Sequence, residues 1–177
     1  ALALFEPLNI DLIDAVPRQN MESARQDVHT ALATGAGHIS AYHLTIEPNT
    51  PFGHTPPSGL PHDDAAQDIE DAVHQALADA GFDHYETSAF ARPGQACRHN
   101  LNYWQFGDYL GIGAGAHGKI SYPTHIERTT RRRGPNDYLA AMQGKPAEAI
   151  ERKRIAAEDL AFEFMMNALR LHEGVPA

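Results

Sequence analysis

The sequence predicts an α/β protein with parallel strand connections. Three observations carry that expectation: short apolar runs at residues 8–13 and 38–46, amphipathic stretches at 21–34 and 63–80, and a glycine, Gly35 or Gly81, closing each amphipathic stretch. Leu8-Asn9-Ile10-Asp11-Leu12-Ile13 is an apolar run broken by one carboxylate and reads as a buried strand, with Pro17 marking the turn beyond it. Apolar residues then recur at Met21, Ala24, Val28, Ala31 and Leu32, the stripe of a helix that Gly35 ends. Residues 38–46 read as the second strand. The loop 47–61 is rich in Pro and Gly and long enough to carry function. Asp63 or Asp64 is the expected cap of a second helix, which places Ile69, Val73, Ala76, Leu77 and Ala80 on one face. Residues 82–88 complete a strand–helix–strand–helix–strand order, which implies right-handed crossovers in a parallel sheet. Residues 136–143 and 151–172 also look helical. In the second, Ile155, Leu160, Phe164, Met165, Leu169 and Leu171 form an apolar stripe that predicts a core-facing helix.

Composition narrows the function classes. A formal charge of −9 argues against nucleic acid as the main partner, because binding to phosphate backbones is dominated by cations. The basic run Arg128, Arg131, Arg132 and Arg133 is too short to reverse that balance and reads as a solvated loop, with an anionic group such as a propionate as the alternative. The one cysteine, Cys97, cannot form an intramolecular disulfide. With no secretory signal and no long apolar span, a cytoplasmic protein without an integral membrane segment is expected. The 11 histidines show no HxH or HExxH spacing, which argues against a structural zinc site. Ala1-Leu2-Ala3-Leu4-Phe5 is apolar from its first residue, and the chain stops just after an apparent helix, so the sequence reads as an excerpt of a longer polypeptide.

Several residues could carry chemistry. Asp11 lies within an apolar strand, where an unpaired carboxylate is costly to bury; it either addresses a ligand near the strand's C-terminal end or caps or pairs with a neighbour. Thr45 and Glu47 leave the second strand at the same expected rim and could bond a polar ligand, or could simply serve the turn set by Pro48 and Asn49. Gly111-x-Gly113-x-Gly115 lacks a following helix, which disfavours a dinucleotide fingerprint and favours a strand or loop making a close backbone approach. His117 at its end is either a ligand contact or a satisfied histidine. The densest cluster is His99, Asn100, Tyr103 and Trp104: an imidazole able to ligate heme iron, with aromatics able to lie against a porphyrin face. Cys97 is an alternative soft ligand, or a small packed hydrophobe.

Taken together, Phe90-Ala91-Arg92-Pro93-Gly94, Arg98-His99-Asn100-Leu101-Asn102-Tyr103-Trp104 and Tyr109-Leu110-Gly111-Ile112-Gly113-Ala114-Gly115-Ala116-His117-Gly118 resemble the oxygen-independent coproporphyrinogen III oxidase-like family of radical S-adenosylmethionine (SAM) proteins. The HNxxYW element points to its heme chaperone branch. Supporting matches are Asn9-Ile10-Asp11-Leu12-Ile13, residues 44–52, Pro135-x-x-Tyr138 and residues 163–171. The resemblance implies the second half of a partial (β/α) radical SAM barrel over residues 1–122, including the HNxxYW segment, and the start of a mainly helical C-terminal region over 123–177. It also implies SAM contacts at Asp11, Thr45 and His117, and a heme side made of His99, Tyr103 and Trp104, with His99 as the candidate iron ligand.

Two departures from the family pattern stand out. The CxxxCxxC motif that binds a [4Fe–4S] cluster is absent, Cys97 being alone. The turn usually written Gly-Leu-Pro-Gly-Gln stands here as Ala15-Val16-Pro17-Arg18-Gln19, which adds Cβ atoms where backbone would approach SAM. The leading expectation is therefore the heme-binding part of a chaperone that delivers heme to acceptor proteins. The alternatives are a coproporphyrinogen oxidase of porphyrin biosynthesis, and an inert half-barrel whose exposed edges favour a homodimer.

Overall fold

The computed structural model describes residues 8–174, so the apolar opening Ala1–Phe5 lies outside the described residues. The chain forms two compact units, Ala1–Cys97 and Arg98–Ala177. The boundary expected at residue 122 instead falls in the turn of a hairpin inside the second unit.

In the first unit the chain runs β1 (Asn9–Asp14), α1 (Met21–Ala33), β2 (His38–His43), α2 (Pro51–His54), α3 (Asp63–Asp79), β3 (Asp83–Glu86) and β4 (Ala89–Ala91). The sheet order is β1-β2-β4-β3. β1 and β2 are parallel, as the intervening helix requires, but β4 runs antiparallel to both β2 and β3. The expected third strand is thus one arm of a hairpin rather than the next parallel neighbour. Thr87 and Ser88 allow only a tight turn, which forces an antiparallel return.

Both long helices lie on one face of this sheet. Ala24, Val28 and Ala31 of α1 and Ile69, Val73 and Leu77 of α3 share a core with Ile39, Ala41, Phe82 and Phe90, while Ile10 and Leu12 pack at its margin. α1 begins in a reciprocal cap: the Asn20 side chain accepts from the Ser23 N–H at 2.9 Å and the Ser23 hydroxyl accepts from the Asn20 N–H at 3.0 Å. α3 is capped by His62, whose Nδ1 accepts from the Ala65 N–H at 3.3 Å. Asp63 and Asp64 fall in its first turn instead, where they complement the helix dipole. Because the helices cover one face only, β1 is half-buried rather than buried: Asn9, Asp11 and Ile13 face away from the core, with Ile13 55% exposed.

The altered turn after β1 keeps the backbone that glycine would favour: Ala15 has φ +56° and Arg18 φ +66°. A residue with a Cβ in this region costs about 1–2 kcal/mol relative to right-handed backbone. Arg18 is exposed, and its N–H donates to the Gly59 carbonyl at 2.6 Å, a bond that glycine preserves. After the loss of unfolded-state entropy is set against it, Arg18→Gly is expected to stabilise the chain by about 0.5–1 kcal/mol. Thermal unfolding measures this directly, and an unchanged or lower Tm would refute it.

In the second unit α4 (Arg98–Trp104) precedes the antiparallel sheet β5 (His117–Tyr122), β6 (His125–Arg131) and β7 (Ile150–Arg154). α5 (Pro135–Gly144) connects β6 to β7 through a short 3-10 turn, and α6 (Leu160–Ala168) follows β7. The expected helix at 151–172 therefore starts only at Leu160. Residues 150–154 pair with β6 instead, and the Arg152–Glu127 ion pair at 2.6 Å crosses the two strands. The stripe on α6 is only partly core-facing: Phe164 meets Phe106 edge to face at 5.8 Å, but Leu169 is 68% exposed.

The basic run is not a solvated loop either. Arg128 and Arg131 belong to β6; Arg131 Nε donates to the Gly111 carbonyl at 2.6 Å, and Arg132 Nε to the Glu148 carbonyl at 3.0 Å. These guanidinium groups tie the glycine-rich loop and the 3-10 turn to the sheet.

Candidate functional site

The sheet face of the first unit opposite its helices carries a chain of hydrogen bonds that ends at Asp11. Strand register sets Asn9 opposite His38 and Asp11 opposite Ser40. Asn9 Nδ2 donates to Asp11 Oδ1 at 2.7 Å, and Asn9 Oδ1 lies 2.6 Å from His38 Nδ1 and 3.2 Å from the Ser40 hydroxyl. On its far side, His38 Nε2 is 2.8 Å from the Tyr85 hydroxyl, to which the Cys97 N–H donates at 3.3 Å. Burial pushes the His38 imidazole below its ordinary range, against an upward pull from Asp11. Asp11 is exposed, and no described residue bonds its Oδ2. Ile13 and Tyr42, paired in register one step along the strands and 55% and 46% exposed, extend the same face with an apolar and an aromatic surface. The sequence singled out Asp11 alone here. His38 and Tyr85 came from distant segments, and only the β1–β2 register exposes the connection.

Thr45 lies just beyond β2, exposed. Its loop is organised by turn chemistry: the Thr50 hydroxyl donates to the Glu47 carbonyl at 2.7 Å and accepts from the Gly53 N–H at 3.0 Å. No hydrogen bond joins Thr45 to Asp11 among the described residues. At the same strand ends, Asp14 is buried and 2.8 Å from His43 Nδ1. Burial pushes the Asp14 carboxyl up, and His43 offsets only part of that shift.

The second unit brings His99 and Tyr103 together. They are four residues apart on α4, on one helix face, with ring centroids 4.8 Å apart and edge to face. Tyr103 lies 4.3 Å from the Tyr109 ring; the Tyr109 hydroxyl accepts from Arg128 Nη1 at 2.9 Å, and Arg128 Nε and Nη2 both donate to Glu163 Oε2 at 2.9 and 2.7 Å. Burial and Tyr109 push the Tyr103 phenol up, with Arg128 pulling the other way. Four elements thus converge behind one exposed imidazole, whose ring nitrogens bond no described residue. Trp104 points elsewhere: the Arg170 guanidinium sits 4.3 Å over its ring. One indole face is therefore already covered, which weighs against Trp104 stacking on a porphyrin there. Arg128 and Glu163 escaped the sequence analysis as site residues, although Glu163 lies in a segment that matched the family.

The Gly111–Gly115 segment is a loop, as expected in the absence of a following helix. Gly113 and Gly115 take φ +103° and +72°, and a Cβ at Gly111 would collide with the His117 carbonyl. His117 opens β5, exposed, with Nδ1 3.3 Å from the Thr130 hydroxyl. It belongs to a different compact unit from Asp11 and Thr45.

The chain shares its fold with part of a radical SAM protein. It matches the structure of the radical SAM enzyme coproporphyrinogen III oxidase (HemN) from Escherichia coli with a TM-score of 0.77, over 94% of this chain and 41% of that one, at 18% identity. In sequence it is homologous to heme chaperone HemW. It is 50% identical over 169 residues to the Escherichia coli K12 protein and 48% over 173 residues to that of Haemophilus influenzae, covering 95% and 97% of this chain. HemW of Mycobacterium tuberculosis H37Rv is 33% identical over 175 residues. The chain spans 43–44% of the length of these relatives and corresponds to their C-terminal part. No protein-family model matches it.

The groups that this fold implies fit the chain unequally. An exposed carboxylate with one oxygen held and one open, beside Ile13 and Tyr42, suits the diol and base of a nucleoside such as that in SAM. The exposed His99 imidazole, whose nitrogens bond no described residue, could hold heme iron. A [4Fe–4S] cluster does not fit: Cys97 is the single thiol of the chain, and no group of three or more His, Cys, Asp or Glu converges among the described residues. No helix of the described residues is long and apolar enough to cross a membrane.

Proposed function

We propose that this chain is the heme-presenting part of a cytoplasmic heme chaperone, with SAM held on the Asp11 face and the cluster ligands supplied by other sequence. The observation that carries the proposal is His99: exposed, without a hydrogen-bond partner among the described residues, and backed by Tyr103, Tyr109, Arg128 and Glu163. A surface imidazole holds a metalloporphyrin through one coordinate bond. That arrangement suits carriage and surrender to an acceptor protein better than permanent burial. Tyr103 fixes the ring's orientation, and the Arg128–Glu163 pair fixes Tyr109 behind it. When bound, SAM would place its ribose hydroxyls against the Asp11 carboxylate, with Thr45 as a further contact.

Heme titration tests the reading. His99→Ala is expected to weaken heme binding at least tenfold and to alter the Soret band, because an axial nitrogen is lost. Equal affinity and an identical spectrum would remove His99 from the site. Sedimentation across a range of concentrations tests the homodimer.

A further inference from the structure

The hydrogen bonds on the Asp11 face have a single consistent direction. The Asp11 carboxylate is an acceptor only, so Asn9 must turn its amide nitrogen toward it, which leaves Asn9 Oδ1 to face His38 and Ser40. That oxygen accepts, so His38 must carry its proton on Nδ1, and its Nε2 must accept from the Tyr85 hydroxyl. Tyr85 oxygen in turn accepts from the Cys97 N–H. The series Cys97 N–H, Tyr85, His38, Asn9, Asp11 is therefore polarised from a backbone donor to an exposed anion. Flipping Asn9 or switching the His38 tautomer breaks bonds at both neighbours. His38 and Ser40 are each 4% exposed, so a broken bond there leaves a buried polar group unsatisfied.

We infer that His38 is a positioning residue for the ligand-facing carboxylate of Asp11. It acts through Asn9 to hold Asp11 Oδ1 and leave Oδ2 turned toward a ligand diol, the diol being that of a nucleoside such as SAM. The role rests on the reading of Asp11 proposed above, and the two fail separately.

Two substitutions of similar bulk distinguish a positional role from a packing one. In His38→Asn the amide nitrogen takes the place of Nδ1 and still donates to Asn9. In His38→Gln it takes the place of Nε2 and the donation is lost. The measurement is SAM affinity by titration calorimetry on the full chain, with circular dichroism and thermal unfolding as the control for folding. Asp11→Ala is expected to weaken SAM at least tenfold and His38→Gln about fivefold to tenfold, while His38→Asn stays within about twofold of the unsubstituted chain; all three stay folded. A His38→Gln chain that binds SAM normally while Asp11→Ala does not would overturn the positioning role, as would equal losses in Gln and Asn. If Asp11→Ala leaves SAM affinity intact, or the unsubstituted chain does not bind SAM, the Asp11 reading falls and the positioning role with it. The tautomer gives a readout independent of ligand: the His38 side-chain 15N shifts must report an Nδ1-protonated neutral ring, and an Nε2-protonated ring contradicts the inferred direction.

Discussion

Replacing Lys119 by methionine is expected to cost the Arg98–Ala177 unit about 1–3 kcal/mol, measured by urea or thermal unfolding. Lys119 is 1% exposed, and each proton of its ammonium has an acceptor: the Phe106 carbonyl at 2.8 Å, Asp108 Oδ1 at 3.0 Å and the Ser121 hydroxyl at 3.1 Å. The same nitrogen lies 4.1 Å over the Phe106 ring. Methionine keeps most of the stem and removes every one of these contacts, leaving Asp108 without its cation. The pH dependence has a definite sign. Partial burial pushes the Asp108 carboxyl up, but bonds from the Ser121 N–H, Lys119 and the Ser121 hydroxyl, with the lysine charge, outweigh it and bring the group below its ordinary 3.8. A depressed carboxylate contributes stability that is complete above the unfolded-state value and is lost as pH falls through the folded-state one. Acid should therefore erode the native unit below about pH 4, with a shallower slope in Lys119→Met. A loss under about 1 kcal/mol at neutral pH would show that Lys119 is not the pin of the hairpin.

Phe90→Ala is expected to cost about 3–5 kcal/mol. Phe90 is 2% exposed, stacks on His84 at 4.1 Å and meets His74 at 5.1 Å. It is the central residue of the three-residue strand β4, which joins the parallel pair to β3, and it pairs directly with Ile39. Since neighbouring atoms collapse only partly into the space left, transfer and cavity costs add. Equilibrium unfolding measures the loss. A value below about 1 kcal/mol would mean that the hairpin is held by its backbone bonds alone.

Local patterns in the sequence were legible wherever one element decided its own fate. Helices α1, α3 and α5 lie within a residue or two of expectation, and α1 and α3 each carry their own stripe and stop. What stayed hidden depends on partners far along the chain. Residues 150–154 carry helix-compatible charged residues, yet pairing with β6 makes them a strand. Asp63 and Asp64 were the obvious caps by residue type, and His62 took the role through its ring nitrogen. The site divides the same way. His99 and Tyr103 were readable as a cluster from their closeness in sequence, but the helix that sets them on one face came only with the structure. The Asn9–His38–Tyr85 connection spans 76 residues of sequence, from Asn9 to Tyr85, and needs the register of three strands. Arg128 looked solvated because nothing local to it announces Glu163, 35 positions later.

The reversal at β4 divides the labour between the two rims of the sheet. Parallel strands deliver their following loops to one rim, and β1 and β2 obey, sending the 15–19 turn and the Thr45 loop there. β4 runs the other way, so residues 92–97 leave from the rim where β1 and β2 begin. Gly94 in that segment is exposed with open space around it, but its φ of +77° keeps the position suited to glycine. The two rims therefore answer to different neighbours. The segment is tied to its own rim by the Arg92 N–H, which donates to the Gly37 carbonyl at 2.9 Å, and to the Asn9–His38 network by the Cys97 N–H on the Tyr85 hydroxyl at 3.3 Å, which any residue but proline supplies. The reversal leaves the two edges of the sheet held by separate sets of bonds.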